Sequence, residues 1–167
     1  MTIFTNLGIA AKPKNPFYNT GKTIRVVNSK FTITAAAATD GDIYELAGPL
    51  TTEMKVHRIM TPVGFTGFTS ANDNDFGFYY KNALGVLTAI DVDILVDGGD
   101  LSSSLVNIDL LSLNATLDKT ETIGDQLSLA PDNTYAGGIF LCLTINTKST
   151  LTTGPLDIDV HIECPTA

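Results

Sequence analysis

The sequence predicts an all-β protein, and within that class a jelly-roll-like β-sandwich. Three observations support this prediction. From Ile24 onward, apolar and polar residues alternate with the period of two that is typical of half-buried strands. Turn-forming residues stand where each alternating run stops. The chain has two Cys and no Trp, so it lacks the Cys and Trp pair that marks an immunoglobulin-like sandwich, and the jelly roll is favoured.

Eight segments are predicted as strands. In chain order they are 23–27, 31–39, 42–47, 54–60, 75–81, 85–96, 137–147 and 156–163. The first consists mainly of Thr, Ile and Val, and the second begins with Phe-Thr-Ile-Thr, residue types that favour pleated surfaces. The third lies between the turn pairs Asp40-Gly41 and Gly48-Pro49, and the fourth places apolar Val56 between polar neighbours.

The second half of the predicted sandwich follows the same logic. The fifth strand carries Phe76 and Phe78 on one face, and the sixth ends before Asp97-Gly98-Gly99. The seventh contains a continuous apolar run. The eighth alternates most clearly, with one apolar face of Leu156, Ile158, Val160 and Ile162 and one polar face of Asp157, Asp159, His161 and Glu163. The turns predict two hairpins, 75–90 and 137–163.

The period of two is lost between Gly99 and Pro131, where one or two short helical turns are predicted within 102–130. Ser102 to Ser104 are expected to cap the first turn, which carries Leu105, Ile108, Leu110 and Leu111. Ile123 to Leu129 form the second. The 167 residues suffice for one domain, so the predicted organisation is an extended basic amino-terminal arm, 1–20, and a single β-sandwich domain, 21–167.

Charge is distributed unevenly along the chain. Residues 1–39 hold five of the ten basic residues and none of the 18 acidic ones, so they carry +5, the remainder carries −13, and the net charge is −8. This balance argues against a dedicated nucleic-acid binder, because phosphate attraction dominates such binding. Two interpretations remain open. The arm folds onto the acidic body of its own or a neighbouring subunit, which is favoured, or it docks on a separate acidic surface.

Two clusters are weighed as metal sites. Asp159, His161 and Glu163 share a strand face and have ligand chemistry for a divalent metal, but a solvent-exposed polar face is favoured because metal sites usually draw ligands from several elements. Residues 72–77 combine oxygen ligands with a glycine as a calcium loop does, yet they lack the distal Glu of an EF-hand, so a turn is favoured. No metal and no other cofactor is predicted.

Catalytic signatures are absent from the sequence. It contains no nucleophile elbow, no H-E-x-x-H and no P-loop, which predicts a non-enzymatic protein. Cys142 lies in an apolar run and is predicted as a buried small hydrophobe, with a disulfide to Cys164 as the alternative.

Aromatic residues concentrate between positions 65 and 80. They are Phe65, Phe68, Phe76, Phe78, Tyr79 and Tyr80. Such a cluster is compatible with a stacking platform for sugars or bases, but Phe76 and Phe78 are predicted as core, and sugar platforms usually rely on Trp. A subunit interface is the favoured interpretation for any exposed part.

Four segments, 39–44, 74–81, 93–102 and 137–141, resemble small virion structural proteins of tailed bacteriophages, of the head decoration or capsid cement type. The resemblance implies a compact β-domain, a homotrimer or homodimer, that binds the major capsid protein and stabilises the capsid. It implies a location on the capsid surface of the virion after synthesis in the host cytoplasm, without direct contact to nucleic acid or a membrane. A tail or host-recognition module that binds glycans is the alternative.

The arm is the predicted capsid-docking element. Bases and aromatics interleave in 12–18, and two prolines stiffen this stretch into an extended strap. The residues expected to contact the shell are Lys12, Lys14, Phe17, Tyr18, Lys22 and Arg25.

Overall fold

The structure, a computed structural model, describes residues 3–5, 23–33, 40–61, 73–101, 107–129, 135, 137–146 and 153–165. These residues form two β-sheets packed face to face, which confirms the all-β sandwich. The strands are β1 (Ile3–Thr5), β2 (Thr23–Ile33), β3 (Asp42–Leu50), β4 (Lys55–Met60), β5 (Asn74–Lys81), β6 (Leu87–Val96), β7 (Ile139–Ile145) and β8 (Gly154–Cys164). A 3-10 helix covers Leu110–Leu113, and α1 covers Ile123–Gln126. No helix in these ranges is long and apolar enough to span a membrane.

The strand order is that of a jelly roll with one strand replaced. One sheet has the order β2-β8-β4, and the other has the order β1-β3-β7-β5-β6, in which β1 is a short parallel addition to β3. From β2 to β5 successive strands alternate between the two sheets; β5, β6 and β7 then lie in the larger sheet, and β8 returns to the smaller one, which is the order of two interlocked Greek keys. Beside β4, where a jelly roll has a further strand, the part of the chain that the structure describes forms one antiparallel bridge, between Met60 and Asp109, before the 3-10 helix begins.

The core lies between the sheets and follows the predicted alternation. Ile158 and Val160 of β8 are fully buried, while Asp157 and Asp159 are only partly buried on the opposite face. The other sheet contributes Phe76, which is also fully buried, as predicted. Complete burial of such side chains stabilises the fold by roughly 1.5–3 kcal/mol each.

The central strand β7 is buried on both faces. Its odd-numbered positions, such as Leu141, pack in the core between the sheets. Phe140 and Cys142 join a second buried cluster on the outer face with Ile43, Tyr79 and Leu87. Two-sided burial explains the continuous apolar run of this strand.

The predicted hairpins have different outcomes. The hairpin over 75–90 is confirmed, because β5 and β6 pair through a turn in which the Asn82 side chain accepts hydrogen bonds from the backbone N–H groups of Leu84 and Val86. The hairpin over 137–163 is wrong. β7 pairs with β3 and β5, whereas β8 pairs with β2 and β4 in the other sheet, because both strands carry enough apolar residues to occupy central positions.

Other element boundaries also shift. The structure has one strand, β2, where the sequence predicts two, 23–27 and 31–39. This strand runs to Ile33, and 34–39 lie outside the described residues. Ser102 to Ser104 lie outside them too, and the cap of the 3-10 helix is Asp109. The predicted second helical turn is confirmed as α1.

Candidate docking surface

The β2 strand forms one open edge of the smaller sheet. Among the residues that the structure describes, its only hydrogen-bonded neighbour is β8. Ile24 and Val26 are 54% and 48% exposed on the outer face, and Arg25 is also exposed. An 11-residue edge strand with these side chains offers a partner unpaired backbone groups, apolar contacts and a positive charge.

The rest of this outer face is a hydrogen-bonded polar surface. Lys30 Nζ lies 3.0 Å from Asp157 Oδ2. The Asn28 amide donates to Asp157 Oδ1 at 2.5 Å and to Asp159 Oδ1 at 2.6 Å. These contacts tie β2 to β8, so that the edge strand is anchored while its far side stays open.

The metal candidates of β8 lie on this face, as the alternation predicted. Glu163 Oε2 is 2.5 Å from Nε2 of His57 on the neighbouring strand β4, and Asp159 is held by Asn28. Within the described parts of the chain, no group of three or more His, Cys, Asp or Glu is arranged to hold a metal ion. Asp159 is partly buried and Glu163 is only 8% exposed, so the face is polar, as expected, but its carboxylates have protein partners and are less exposed than a solvent-exposed face implies.

In the second metal candidate, 72–77, the carboxylate of Asp75 accepts hydrogen bonds from residues of two other segments. Asp75 is 7% exposed, and its Oδ1 accepts from the Gly98 N–H at 3.0 Å. Its Oδ2 accepts from the Asn146 amide at 2.5 Å. Asn72 lies outside the described residues. Asp75 lies at the start of β5 and both contacts join it to residues distant in sequence, while the favoured turn interpretation stays a prediction.

A small cleft opens beside the β2 edge, between the two sheets. It has a volume of about 80 Å³, well below the roughly 300 Å³ at which small-molecule pockets begin. Its lining residues are Arg25, Val27, Gly48, Pro49, Leu50, Met54, Ile162 and Cys164. A mostly apolar lining with one guanidinium suits a single side chain of a docked protein better than a metabolite.

The opposite side of the sandwich carries an acidic edge. β2 packs over β3, where the Phe31 and Tyr44 rings are 5.3 Å apart, whereas β6 lies at the far end of the same sheet as β3. Because β7 and β5 lie between β3 and β6, the usual spacing between neighbouring strands places β6 about 14 Å from β3. β6 carries Asp91 and the exposed Asp93, so the basic and acidic edges lie on opposite sides.

The two carboxyl groups of β6 influence each other. The pKa of Asp93 is raised, first by its side-chain hydrogen bond with Asp91, then by partial desolvation and by the negative charge of Asp91. Sequence analysis missed this edge, although the spacing of two between the acids in 91–93 already places both on one face of a strand.

Replacing Asp91 with asparagine is expected to bring the pKa of Asp93 back toward its ordinary value. In the wild type the folded state holds a proton on Asp93 at a pH where the unfolded chain has lost it, so this pair adds stability as pH falls through the raised pKa. The variant should lose that pH-dependent component. Carboxyl NMR titration and urea unfolding between pH 3 and 7 measure both effects, and identical titration curves for Asp93 would contradict the coupling.

The aromatic residues of this cluster contact other protein groups wherever the structure describes them. Phe76 and Phe78 are core residues, and Tyr79 donates to or accepts from Thr144 at 2.5 Å while burial raises its pKa. Tyr80 stacks on Tyr135 with ring centroids 4.8 Å apart. Phe65 and Phe68 lie outside the described residues. The described members of the cluster therefore contact protein and do not form an open stacking platform.

Both cysteines are free thiols. Cys142 is buried in the outer cluster, where burial raises the pKa of its thiol, and Cys164 lies in the other sheet. The prediction of Cys142 as a buried small hydrophobe matches this position, and the alternative disulfide to Cys164 is not formed.

The predicted docking residues fall into two groups. Arg25 is exposed on the β2 edge. The other five, Lys12, Lys14, Phe17, Tyr18 and Lys22, lie outside the described residues. Within the predicted arm, 1–20, the described part is β1, which lies parallel to β3.

Comparisons of the chain with models of protein families, with curated proteins and with solved structures found no match.

Proposed function

We propose that this protein is a non-enzymatic structural component of a tailed-bacteriophage virion that decorates the capsid and stabilises it. The separation of charge supports this proposal most directly, since all five bases of residues 1–39 precede a body that holds all 18 acids. A segment with this charge binds an acidic protein surface by attraction over several ångströms. The major capsid protein is the proposed partner, and the capsid surface is the proposed location.

The described surface is compatible with this role. Arg25 and the exposed Ile24 and Val26 continue the basic segment onto the edge of the sandwich, next to a cleft that fits one side chain. Each such contact is weak when it acts alone. Many copies on one shell, or several arms in one oligomer, make weak contacts effective through multivalency.

Four substitutions in the basic segment test the proposal: Lys12→Ala, Lys14→Ala, Lys22→Ala and Arg25→Ala in one chain. If each base contributes about 0.5 kcal/mol, the variant loses about 2 kcal/mol, or roughly 30-fold in affinity. Binding is measured by co-sedimentation with phage heads that lack this protein. The wild type should also bind more weakly as salt is raised, and the variant should show less of this dependence.

A matched control separates position from net charge. Lys55→Ala, Arg58→Ala, Lys119→Ala and Lys148→Ala remove the same charge from the body. The control should bind shells almost as well as the wild type, and circular dichroism should show that both variants fold. Equal loss in the two variants would contradict docking through the basic segment. Wild-type binding to a glycan array but not to shells would favour the host-recognition alternative.

A further inference from the structure

We infer that the β2 edge of one copy docks on the β6 edge of a second copy, so that the chain associates with itself head to tail. This inference does not depend on the proposed capsid role, because Lys12, Lys14 and Lys22 of the basic segment remain for the capsid where the β2 edge with Arg25 pairs with a second copy. The β2 edge and the β6 edge lie on opposite sides of the same sandwich. The β2 edge of each molecule binds the β6 edge of its neighbour.

Both strands are open edges. Among the described residues, β2 is bordered by β8 alone and β6 by β5 alone. They are 11 and 10 residues long, so each presents a row of backbone groups that a further strand would satisfy. The Asn114 amide donates to the carbonyls of Ile94 and Leu95, which covers one end of β6 and leaves 87–93 for pairing.

The charges on the two edges are complementary. β2 carries Arg25 and Lys30 and no acid, whereas β6 carries Asp91 and Asp93 and no base. A two-fold dimer that pairs β2 with β2 or β6 with β6 brings like charges together, which destabilises cross-strand pairs. Pairing β2 with β6 brings opposite charges together. Lys30 already binds Asp157, so Arg25 is the base that faces the second copy.

Two further observations agree with this pairing. Ile24 and Val26 are about half exposed on β2, and a neighbouring strand would cover part of that apolar surface. On β6, the carboxyl groups of Asp91 and Asp93 are hydrogen-bonded to each other, which with the negative charge of Asp91 raises the pKa of Asp93, and an approaching guanidinium offsets that charge. Because the two edges differ, the contact is heterologous, and it closes into a ring such as a trimer or continues as an open chain.

Single charge reversals test the pairing. Arg25→Glu and Asp93→Lys should each reduce the mass in solution toward the 17.7 kDa of one chain. Combining both reversals in one chain, or mixing the two single variants, should restore association because opposite charges then meet again. Sedimentation velocity measures the mass over a concentration series at low salt and at about 0.5 M salt, which weakens the contact.

Two control reversals, Arg58→Glu and Glu121→Lys, change exposed charges outside β2, β6 and the lining of the cleft and should leave the mass unchanged. If either edge reversal fails to fold by circular dichroism, Arg25→Ala or Asp93→Asn replaces it. A wild type that stays monomeric at all concentrations would overturn the inference. The charged residues on β2 and β6 would then serve to prevent pairing of these edge strands. An effect of Arg25→Glu without an effect of Asp93→Lys would overturn it in favour of a β2 to β2 dimer.

Discussion

Replacing Gly77 with alanine is expected to destabilise the fold by about 3 kcal/mol, at the upper end of the usual cost of overpacking. A Cβ at this position of β5 would lie 2.1 Å from the Asp91 carbonyl oxygen and 2.4 Å from the carbonyl carbon of Val92. These are backbone atoms of the paired strand, which have no rotamer to change. The β6 strand must therefore move away from β5, and urea unfolding measures the cost.

Gly85 in the same hairpin is the matched control. Its φ is +75°, and a Cβ there would meet no atom within 4 Å, so Gly85→Ala adds conformational strain without a clash. The expected cost is about 1 kcal/mol, because an L residue is disfavoured in the left-handed region. If Gly77→Ala proved no more destabilising than Gly85→Ala, the close approach of β6 over Gly77 would be contradicted.

This close approach also explains the irregular pairing of β5 and β6. The register shifts between Phe76 and Phe78, on either side of Gly77, and again between Phe78 and Tyr79. A glycine without a side chain allows the bulged β6 backbone to cross at this point. Because Asp91 lies at the crossing, Gly77 also helps to set the position of the acidic edge. Gly77→Ala is thus expected to weaken self-association as well as stability.

The sequence predicted the faces of strands far better than their partners. In β8 the period of two assigned Ile158 and Val160 to the core and Asp159 to the outer surface, and the structure confirms all three. Alternation reports which face of a strand is buried, and it contains no information on the sheet to which the strand belongs. For this reason the turn residues between β7 and β8 suggested a hairpin, although the chain crosses there from one sheet to the other.

The outer apolar cluster shows a second limit of sequence reasoning. The run in β7 has no alternation, so the sequence could not separate Leu141, which faces the core, from Phe140, which faces the outer cluster. A continuous apolar run indicates burial on both faces only once the strand is known to be central. Lys81 lies over the Phe140 ring, 4.2 Å from its centroid, and pairs with Glu45 at 2.9 Å; no local pattern in the sequence indicates these contacts between three strands.

The candidate docking surface was predicted only in part. The charge count identified Arg25 as part of a basic segment, and the structure places it on an open edge. The cleft beside it combines residues from three strands and from the β3–β4 turn, which are distant in sequence, so no local motif marks it. The acidic edge was missed because the charge count treated the whole body as one unit, although opposite edges of a sandwich can differ in charge and thereby direct assembly.

Asp109→Ala is expected to destabilise the fold by about 2 kcal/mol, through loss of a helix cap and of an acceptor for a buried N–H group. Among the described residues, Asp109 lies beside β4, where a jelly roll has a further strand. Its Oδ1 accepts from the backbone N–H of Leu111, which caps the 3-10 helix, and from that of Ile59 in β4, both at 3.2 Å. Its Oδ2 binds Lys119 Nζ at 3.2 Å. One side chain thus caps the 3-10 helix and also supplies an acceptor to the edge of β4, as a neighbouring strand would.

The comparison with Asp109→Asn tests this explanation, because asparagine keeps the acceptor that serves Leu111 and Ile59 but loses the charge that attracts Lys119. A partly exposed ion pair contributes only about 0.5 kcal/mol, so Asp109→Asn should cost much less than Asp109→Ala in urea unfolding. Hydrogen exchange should show faster opening at Ile59 in Asp109→Ala alone. Equal costs for the two variants would instead assign the role of Asp109 to its charge, and the edge of β4 would then depend on the backbone contacts of Thr61 with Asn107 and Ile108.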